Sequence, residues 1–597
     1  MPGALAPAGP GDPRRRRGAG VLVRVLRTFL RPHTGLLGLV AVLLAVQAGG
    51  NLYLPALNAD LINKGVVSGD TGYVWRTGGA MLGIVFGTGV LSVVTAWAAS
   101  RISMTTGTRI RSALFQRVQA FSVTDVSRFG IPSLVTRNIN DVQQICVFLQ
   151  AALVLLTASV IMCVGAIVMA VRESAELSLL LVVAVPVLAL VLGGLLSVLV
   201  PMARTMQGRV DRINHVLREQ ITGVRVTRAF LRTGAERERF GRANGDLTAV
   251  TLRTFRIYAA IMPVVMVVTN LSSVGVIWFG GHLVSEGSMP IGNLTAFLLY
   301  VLQVLVYAMV GVSVIGLAPR AVGSAERIDD VLGTAPAIAD PSEAVAPAEL
   351  SGSVEFRDVG FGYPGGERPV LTDVSFTLRP GQTTGIVGST GSGKTTVLNL
   401  ILRMFDVTEG TVLVNGVDVR QQTAATLRAP IGLVPQAGFL FGGTVGSNLR
   451  FALADATEPQ LWQALTIAQA RDFVAAMPGQ LDAPIDQGGS NVSGGQRQRL
   501  SIARALVRPG RLYLFDDCFS ALDVATDARL RAALGEATRA ATVVIVAQRV
   551  STIMHADQVI VLDNGRVAGI GTHERLLTEC ATYQEIVASQ LGEEARA

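Results

Sequence analysis

The polar and apolar positions of this chain segregate into two unequal halves. Six stretches before residue 320 contain no Asp, Glu, Lys, Arg or His: 35–59, 77–100, 142–171, 177–203, 257–281 and 287–319. Each exceeds the roughly 20 apolar residues that a helix needs to cross a hydrocarbon layer about 30 Å thick. Helices buried in a soluble core average about 11–12 residues and keep a polar face. These stretches therefore predict six membrane spans, and no comparable stretch appears after residue 350. The organisation expected is a flexible basic start (1–20), a membrane domain (21–325), a linker (326–352) and a soluble domain (353–590). The linker signal is strongest over Gly333–Gly352, rich in Ala and Pro (Pro336, Pro341, Pro347).

Two of the segments between spans are too long to be turns. If the flanking spans continue as helices, each is an extended hairpin, with tips expected at Ser122–Gly130 and Thr233–Gly245, where Gly and helix-capping residues interrupt the pattern.

Composition and charge sharpen this picture. Half of the 597 residues are hydrophobic and 16% are charged, with a mean hydropathy of +0.47. That is too apolar for an ordinary soluble or a disordered chain. The net charge is +8. Twelve arginines fall in 204–256 and six in 101–141, against only Lys64 and Arg76 in 60–76 and none in 282–286. Such residues are retained on the cytoplasmic side. This predicts a multi-pass protein of the cell (inner or plasma) membrane, with the N-terminus, both hairpins and the soluble domain cytoplasmic. The Arg14–Arg17 run fits equally a topology signal or a disordered basic start. A cleavable signal peptide is not expected, because the Pro/Gly/Arg-rich start precedes a span too long for one. The charge is accounted for by topology, so no nucleic-acid partner is expected. Cys146, Cys163, Cys518 and Cys580 form no C-x-x-C pair, which excludes a disulfide scaffold and a cysteine zinc site.

The soluble domain carries the chemistry. Thr383–Val387 reads as a buried strand, followed by Gly388-Ser389-Thr390-Gly391-Ser392-Gly393-Lys394-Thr395-Thr396 and a helix over Val397–Phe405. A G-x-x-x-x-G-K-[ST] loop in that context cradles phosphates with backbone N–H groups and a helix N-terminus. Lys394, one of only two lysines, would reach the β- and γ-phosphates, and the Thr395 hydroxyl would ligate Mg²⁺. A second apolar strand, Arg511–Phe515, ends in Asp516-Asp517, and Asp516 is expected to hold the same metal. Ser493-Gly494-Gly495-Gln496 opens a further helix and makes another anion site.

In this combination the sequence resembles the ATP-binding cassette (ABC) transporters, specifically exporter-type half-transporters with one membrane domain fused to one cassette. The resemblance covers about residues 20–590. It rests on Tyr363 in Phe-Gly-Tyr-Pro, the phosphate loop, Gln436 in Val-Pro-Gln, Ser493–Gln496, Asp516 and Ser520-Ala-Leu-Asp523, in family order, and Thr136–Asp141 also looks like a family pattern. It implies an all-α six-helix transmembrane domain fused to an α/β P-loop NTPase domain, binding ATP and Mg²⁺. It further implies that two cassettes pair head-to-tail, each nucleotide lying between one phosphate loop and the other chain's signature. Tyr363 would stack on adenine, Gln436 would touch Mg²⁺, and the hairpin tips would dock as coupling helices, the second on the partner's cassette.

Two positions depart from the family pattern. Asp517 stands where a glutamate normally polarises the attacking water, and Gln548 stands at the switch histidine. Aspartate is one methylene shorter, and misplacement by about 1 Å can cost about 10²-fold in rate. Glutamine can hydrogen-bond a phosphate but cannot titrate. The pairing resembles the degenerate half of heterodimeric exporters, so a second, different half-transporter chain is expected as partner. A homodimer hydrolysing slowly with aspartate is the alternative.

None of the six spans holds an Asp, Glu or Lys at mid-membrane, the mark of an ion-coupled site; Asp60 and Lys64 are expected at an interface. ATP is therefore the expected energy source, with small hydrophobic, amphipathic or lipid-like substrates; Gln, Asn, Ser and Thr remain available to line an exposed cavity. Two function classes stay open: an active transporter, most simply an exporter although some members with this architecture resemble importers, and a nucleotide-gated channel or regulator.

Overall fold

The computed structural model describes residues 18–520 and 522–594. The Arg14–Arg17 run and most of the expected flexible start lie outside the described residues, as does Ala521. The chain divides into two units: the membrane helices up to Val118 with Pro132–Thr334, and Gln119–Ile131 with the chain from Ala335 onward.

Hydrocarbon offers the backbone no water to bond, so spanning segments must close their hydrogen bonds internally. Six long helices do so: α1 (Gly20–Val66), α2 (Thr71–Gln119), α4 (Ile131–Glu173), α5 (Leu179–Thr222), α7 (Thr233–Ser285) and α8 (Ile291–Gly333). The short helices α3 (Val123–Phe129) and α6 (Val224–Ala229) lie between them in sequence. Each expected span falls on one long helix, apart from a few terminal residues. With 49 residues, α2 measures about 73 Å at 1.5 Å per residue, more than twice the apolar thickness of a bilayer. The excess length builds the expected hairpins.

The first hairpin tip is where the sequence predicts it. Ser122 caps α3, its hydroxyl accepting from Asp125 N while Asp125 Oδ2 accepts from Ser122 N at 3.0 Å. Gly130, at φ 78°, ends the helix. Asp125 is buried and also accepts from Ala337 N at 2.9 Å, which fits the grouping of this tip with the second unit.

The second tip differs from the expectation. The break lies between Gly223 and Arg232, around α6 and Leu231 at φ 53°, while 233–245 are already helical. Gly234, Gly241 and Gly245 each cost a helix only about 1 kcal/mol. They are outweighed by contacts across the hairpin: Arg239 bonds Glu219 at 2.5 Å, and Gln220 Nε2 donates to Glu236 O at 2.9 Å.

The helix α8 also runs further than expected, so residues 326–333 are helix rather than linker. Its last turns are held by Asp141, which is buried and lies at the end of the π-helical turn Arg137–Asp141. Asp141 accepts from Arg327 Nε at 2.8 Å, from Arg327 Nη2, and from Ser324 Oγ at 3.0 Å. Ile328 and Val331 are fully buried beside this network.

In the second unit the first six strands are β1 (Val354–Phe361), β2 (Leu371–Leu378), β3 (Thr383–Gly388), β4 (Glu409–Val414), β5 (Val417–Asp418) and β6 (Ile431–Val434). The remaining strands are β7 (Gly443–Thr444), β8 (Pro484–Ile485), β9 (Leu512–Asp516), β10 (Thr542–Val546), β11 (Gln558–Asp563) and β12 (Arg566–Gly571). One sheet is antiparallel, in the order β2-β1-β4-β5; the larger runs β12-β11-β3-β10-β9-β6. Its central strands β3, β9 and β10 are parallel and almost wholly buried, as an α/β sheet covered on both faces requires.

Removing the Asp141 carboxylate leaves the buried Ser324 hydroxyl without its acceptor, a loss of about 1–3 kcal/mol, while the half-exposed Arg327 guanidinium turns to water. Asp141→Ala is expected to lower the melting temperature of the purified chain by several degrees. Arg24→Ala breaks only the exposed pair with Asp329 at 3.5 Å and should leave it nearly unchanged.

Candidate nucleotide site

The parallel order of β3, β10 and β9 brings three strand ends together. Val546 of β10 pairs with Ile386 on one side and Asp516 on the other. The phosphate loop leaves β3 at Gly388, and α9 (Lys394–Ile401) starts from Gly393 at φ 99°. The helix ends earlier than the expected Phe405 because Arg403 turns to φ 48°. Ser389, Thr390, Gly391 and Thr395 are exposed on the loop's rim, whereas Ser392 and Thr396 are buried.

The lysine is tightly held. Lys394 Nζ donates to Gly388 O at 2.8 Å and Ser389 O at 2.7 Å, with Ser392 Oγ at 3.4 Å. Burial holds its ammonium below the ordinary lysine range, against the opposing pull of Asp517 and Asp516. Thr395 Oγ1 donates to Asp516 Oδ1 at 3.0 Å. Burial pushes the Asp516 carboxyl upward and Asp517 adds to this, while the Thr395 bond and Lys394 resist it. Thr395 and Asp516 thus offer two adjacent oxygen donors, the ligand type that Mg²⁺ takes.

The two departures from the family pattern meet at one atom. Asp517 is 8% exposed and holds a left-handed backbone at φ 45°. Its Oδ2 accepts from Gln548 Nε2 at 2.7 Å and from Gln436 Nε2 at 3.2 Å. A residue that sequence reasoning missed supports this corner. Gln590 donates to Gln548 O at 2.7 Å and accepts from Val550 N at 2.8 Å. No motif marks a glutamine 42 positions away.

Tyr363 packs edge-on against Phe361 and Phe405, and its hydroxyl lies 3.0 Å from Thr396 Oγ1. The aromatic position is thereby joined to the phosphate loop. The signature is not. Ser493 and Gln496 form a reciprocal capping box at the start of α10 (Gly494–Val507), with Gly494 and Gly495 in its first turn. Asp523 is exposed and caps α11 (Val524–Ala537), accepting from Thr526 N at 2.9 Å. That bond holds its carboxyl below the ordinary range. Among the described residues no hydrogen bond links Ser493–Gln496 or Asp523 to the phosphate loop.

A phosphate loop beside an acid-ended strand, in a chain whose described residues hold six helices long and apolar enough to cross a membrane, defines a nucleotide-binding membrane protein. Residues 37–309 match the family described as the ABC transporter transmembrane region, and 371–520 match that described as ABC transporter. The chain is 45% identical over 575 residues to an uncharacterised ABC transporter ATP-binding protein of Mycobacterium tuberculosis, spanning 96% of this chain and 98% of that one. It is 27% identical over 569 residues to an ATP-dependent lipid A-core flippase of Vibrio vulnificus, spanning 95% and 97%. Its fold matches a bacterial Atm1-family ABC exporter solved with ATP bound, at TM-score 0.79 and 23% identity, over 94% of this chain and 98% of that one. The chain belongs to the ABC transporter family, with one membrane domain and one cassette in a single chain and the fold of an ABC exporter: a multi-pass membrane protein whose cassette binds ATP.

Glycine is required in the loop for two separable reasons. A Cβ on Gly388 would lie 2.0 Å from Leu562 O, a backbone atom of β11. On Gly391, at φ 85°, it would meet nothing within 4 Å, and an L-residue there costs only about 1–2 kcal/mol of backbone strain. Gly388→Ala should lower the melting temperature clearly more than Gly391→Ala.

Proposed function

We propose that this chain is the ATP-holding, slowly hydrolysing half of a heterodimeric exporter of hydrophobic, amphipathic or lipid-like molecules, with its cassette and both hairpins in the cytoplasm. The observation that carries this reading is the engagement of Asp517. A general base must face the water it activates. Here Oδ2 already accepts two side-chain amides, on a carboxylate one methylene shorter than glutamate. Gln548 supplies no titratable group to answer it.

Binding is spared. The loop amides of Gly388–Thr396 and the Lys394 ammonium hold the β- and γ-phosphates, and Tyr363 stacks on the adenine. Thr395, Asp516 and Gln436 hold Mg²⁺, which when bound offsets charge on the phosphate oxygens. Ser493, Gly494, Gly495 and Gln496 present N–H groups at a helix start, and with Asp523 they complete the partner's site rather than this one. Among the described residues they make no hydrogen bond to the phosphate loop of this chain, which supports that assignment. The arginine distribution supports the orientation, and the apolar spans support the substrate class. The flippase similarity adds to the latter.

A homodimer is the second reading, favoured by the retention of a carboxylate at 517. The two separate in an ATPase assay. Lys394→Ala should abolish nucleotide binding at this site. Asp517→Ala should leave turnover of the co-expressed pair nearly intact, and Asp517→Glu with Gln548→His should raise hydrolysis at this site by about 10²-fold. Loss of all turnover in Asp517→Ala would refute the heterodimer reading.

A further inference from the structure

One cavity inside the membrane unit has a composition at odds with its surroundings. It is a partly open cleft of about 550 Å³ between α1, α2, α4 and α8, in the size range of roughly 300–1,000 Å³ found for pockets that hold drug-sized ligands. Asn51 and Asn58 line it from α1, seven residues apart and so on one helix face; Gln303 and Tyr307 line it from α8, four apart on another. Met81 and Met162 close it from α2 and α4, supplying flexible, polarisable walls. No charged residue lines it.

Gln303 is the unusual member. It stands at the midpoint of the apolar stretch 287–319, where an unsatisfied amide is costly and polar groups mark function. Yet its Nε2 makes only one long bond, 3.4 Å to Asn51 O. Its Oε1 is buried with no hydrogen-bond partner. An acceptor left in this state costs about 1–3 kcal/mol, which an incoming N–H or O–H would recover once the side-chain amide turns toward the cavity.

We propose that this cavity is a substrate subsite for an uncharged amphipathic molecule carrying an N–H or O–H donor on an apolar body, with the donor received by Gln303. The proposal rests on the transporter reading and narrows its substrate class. A cation or anion would enter without a counter-charge and is selected against. An apolar molecule without a donor would leave the Gln303 carbonyl unpaired.

The test uses the full chain in lipid nanodiscs, purified with any partner chain it retains and without nucleotide. Three fluorescent probes of equal length are titrated, each tagged through a fully alkylated dansyl sulfonamide that carries no N–H: an octyl secondary amide, its N-methylated form lacking the donor, and a quaternary ammonium form. The secondary amide is expected to bind about tenfold tighter than the N-methyl amide, the worth of one net hydrogen bond, and tighter still than the ammonium. Gln303→Leu should remove the difference between the two amides while apolar binding persists. Gln303→Glu should turn preference toward the ammonium, a gain that an unfolded variant cannot show. Equal binding of both amides to the wild type would overturn the proposal, as would a preference that survives in Gln303→Leu. If the binding pattern holds but sealed vesicles show no ATP-dependent probe movement, the transporter reading fails and the subsite stands.

Discussion

The structure depends first on a prohibition: inside hydrocarbon, no backbone amide can be left without a partner. It keeps the membrane unit helical through the apolar stretches, where the π-helical turn Ala152–Leu156 is an irregularity a helix can absorb, and it leaves both hairpin tips outside them. The left-handed residue Leu231 and the glycine turn at Gly130 lie beyond the apolar stretches. Prolines do occur inside the long helices, at Pro55, Pro186, Pro201 and Pro263, where neighbouring groups can take up the freed carbonyls. The same prohibition explains why α2 and α7 overrun the bilayer. A helix that cannot stop inside the membrane readily continues past it, and the hairpins are those continuations.

What was legible in the sequence follows from which interactions are local. The spans, the phosphate loop and its flanking strands could be read, because hydropathy and a strand–glycine–helix order are written in consecutive residues. The Ser122–Gly130 tip could be read because its capping box lies within four residues. The second tip could not. Glycines at 234, 241 and 245 look like breaks, and what overrides them is the pairing of Glu219 with Arg239 across the hairpin. The end of the last membrane helix was missed for the same reason, since Asp141 holds Arg327 from 186 residues away. At the site, residue types were visible but not their connections. Nothing in the sequence says that Gln436 and Gln548 converge on a single oxygen of Asp517.

The nucleotide site therefore joins two kinds of order. The loop that meets phosphate is fixed by backbone geometry, in glycines at φ 85° and 99° and carbonyls that hold Lys394. The corner that would handle water is fixed by side chains, two of them donating to one carboxylate oxygen. The first kind tolerates little substitution. The second can be re-tuned one residue at a time.

Gln590 makes that freedom concrete. It grips only the main chain of the switch segment, at Gln548 O and Val550 N, and so is indifferent to which side chain stands at 548. An evolving lineage could exchange that side chain repeatedly, gaining or losing a titratable group, without moving the loop that carries it. The helix Ala581–Glu594, which carries Gln590, acts as a fixed socket into which different chemistries can be fitted, and the route between an active and a silent site need not pass through an unfolded one.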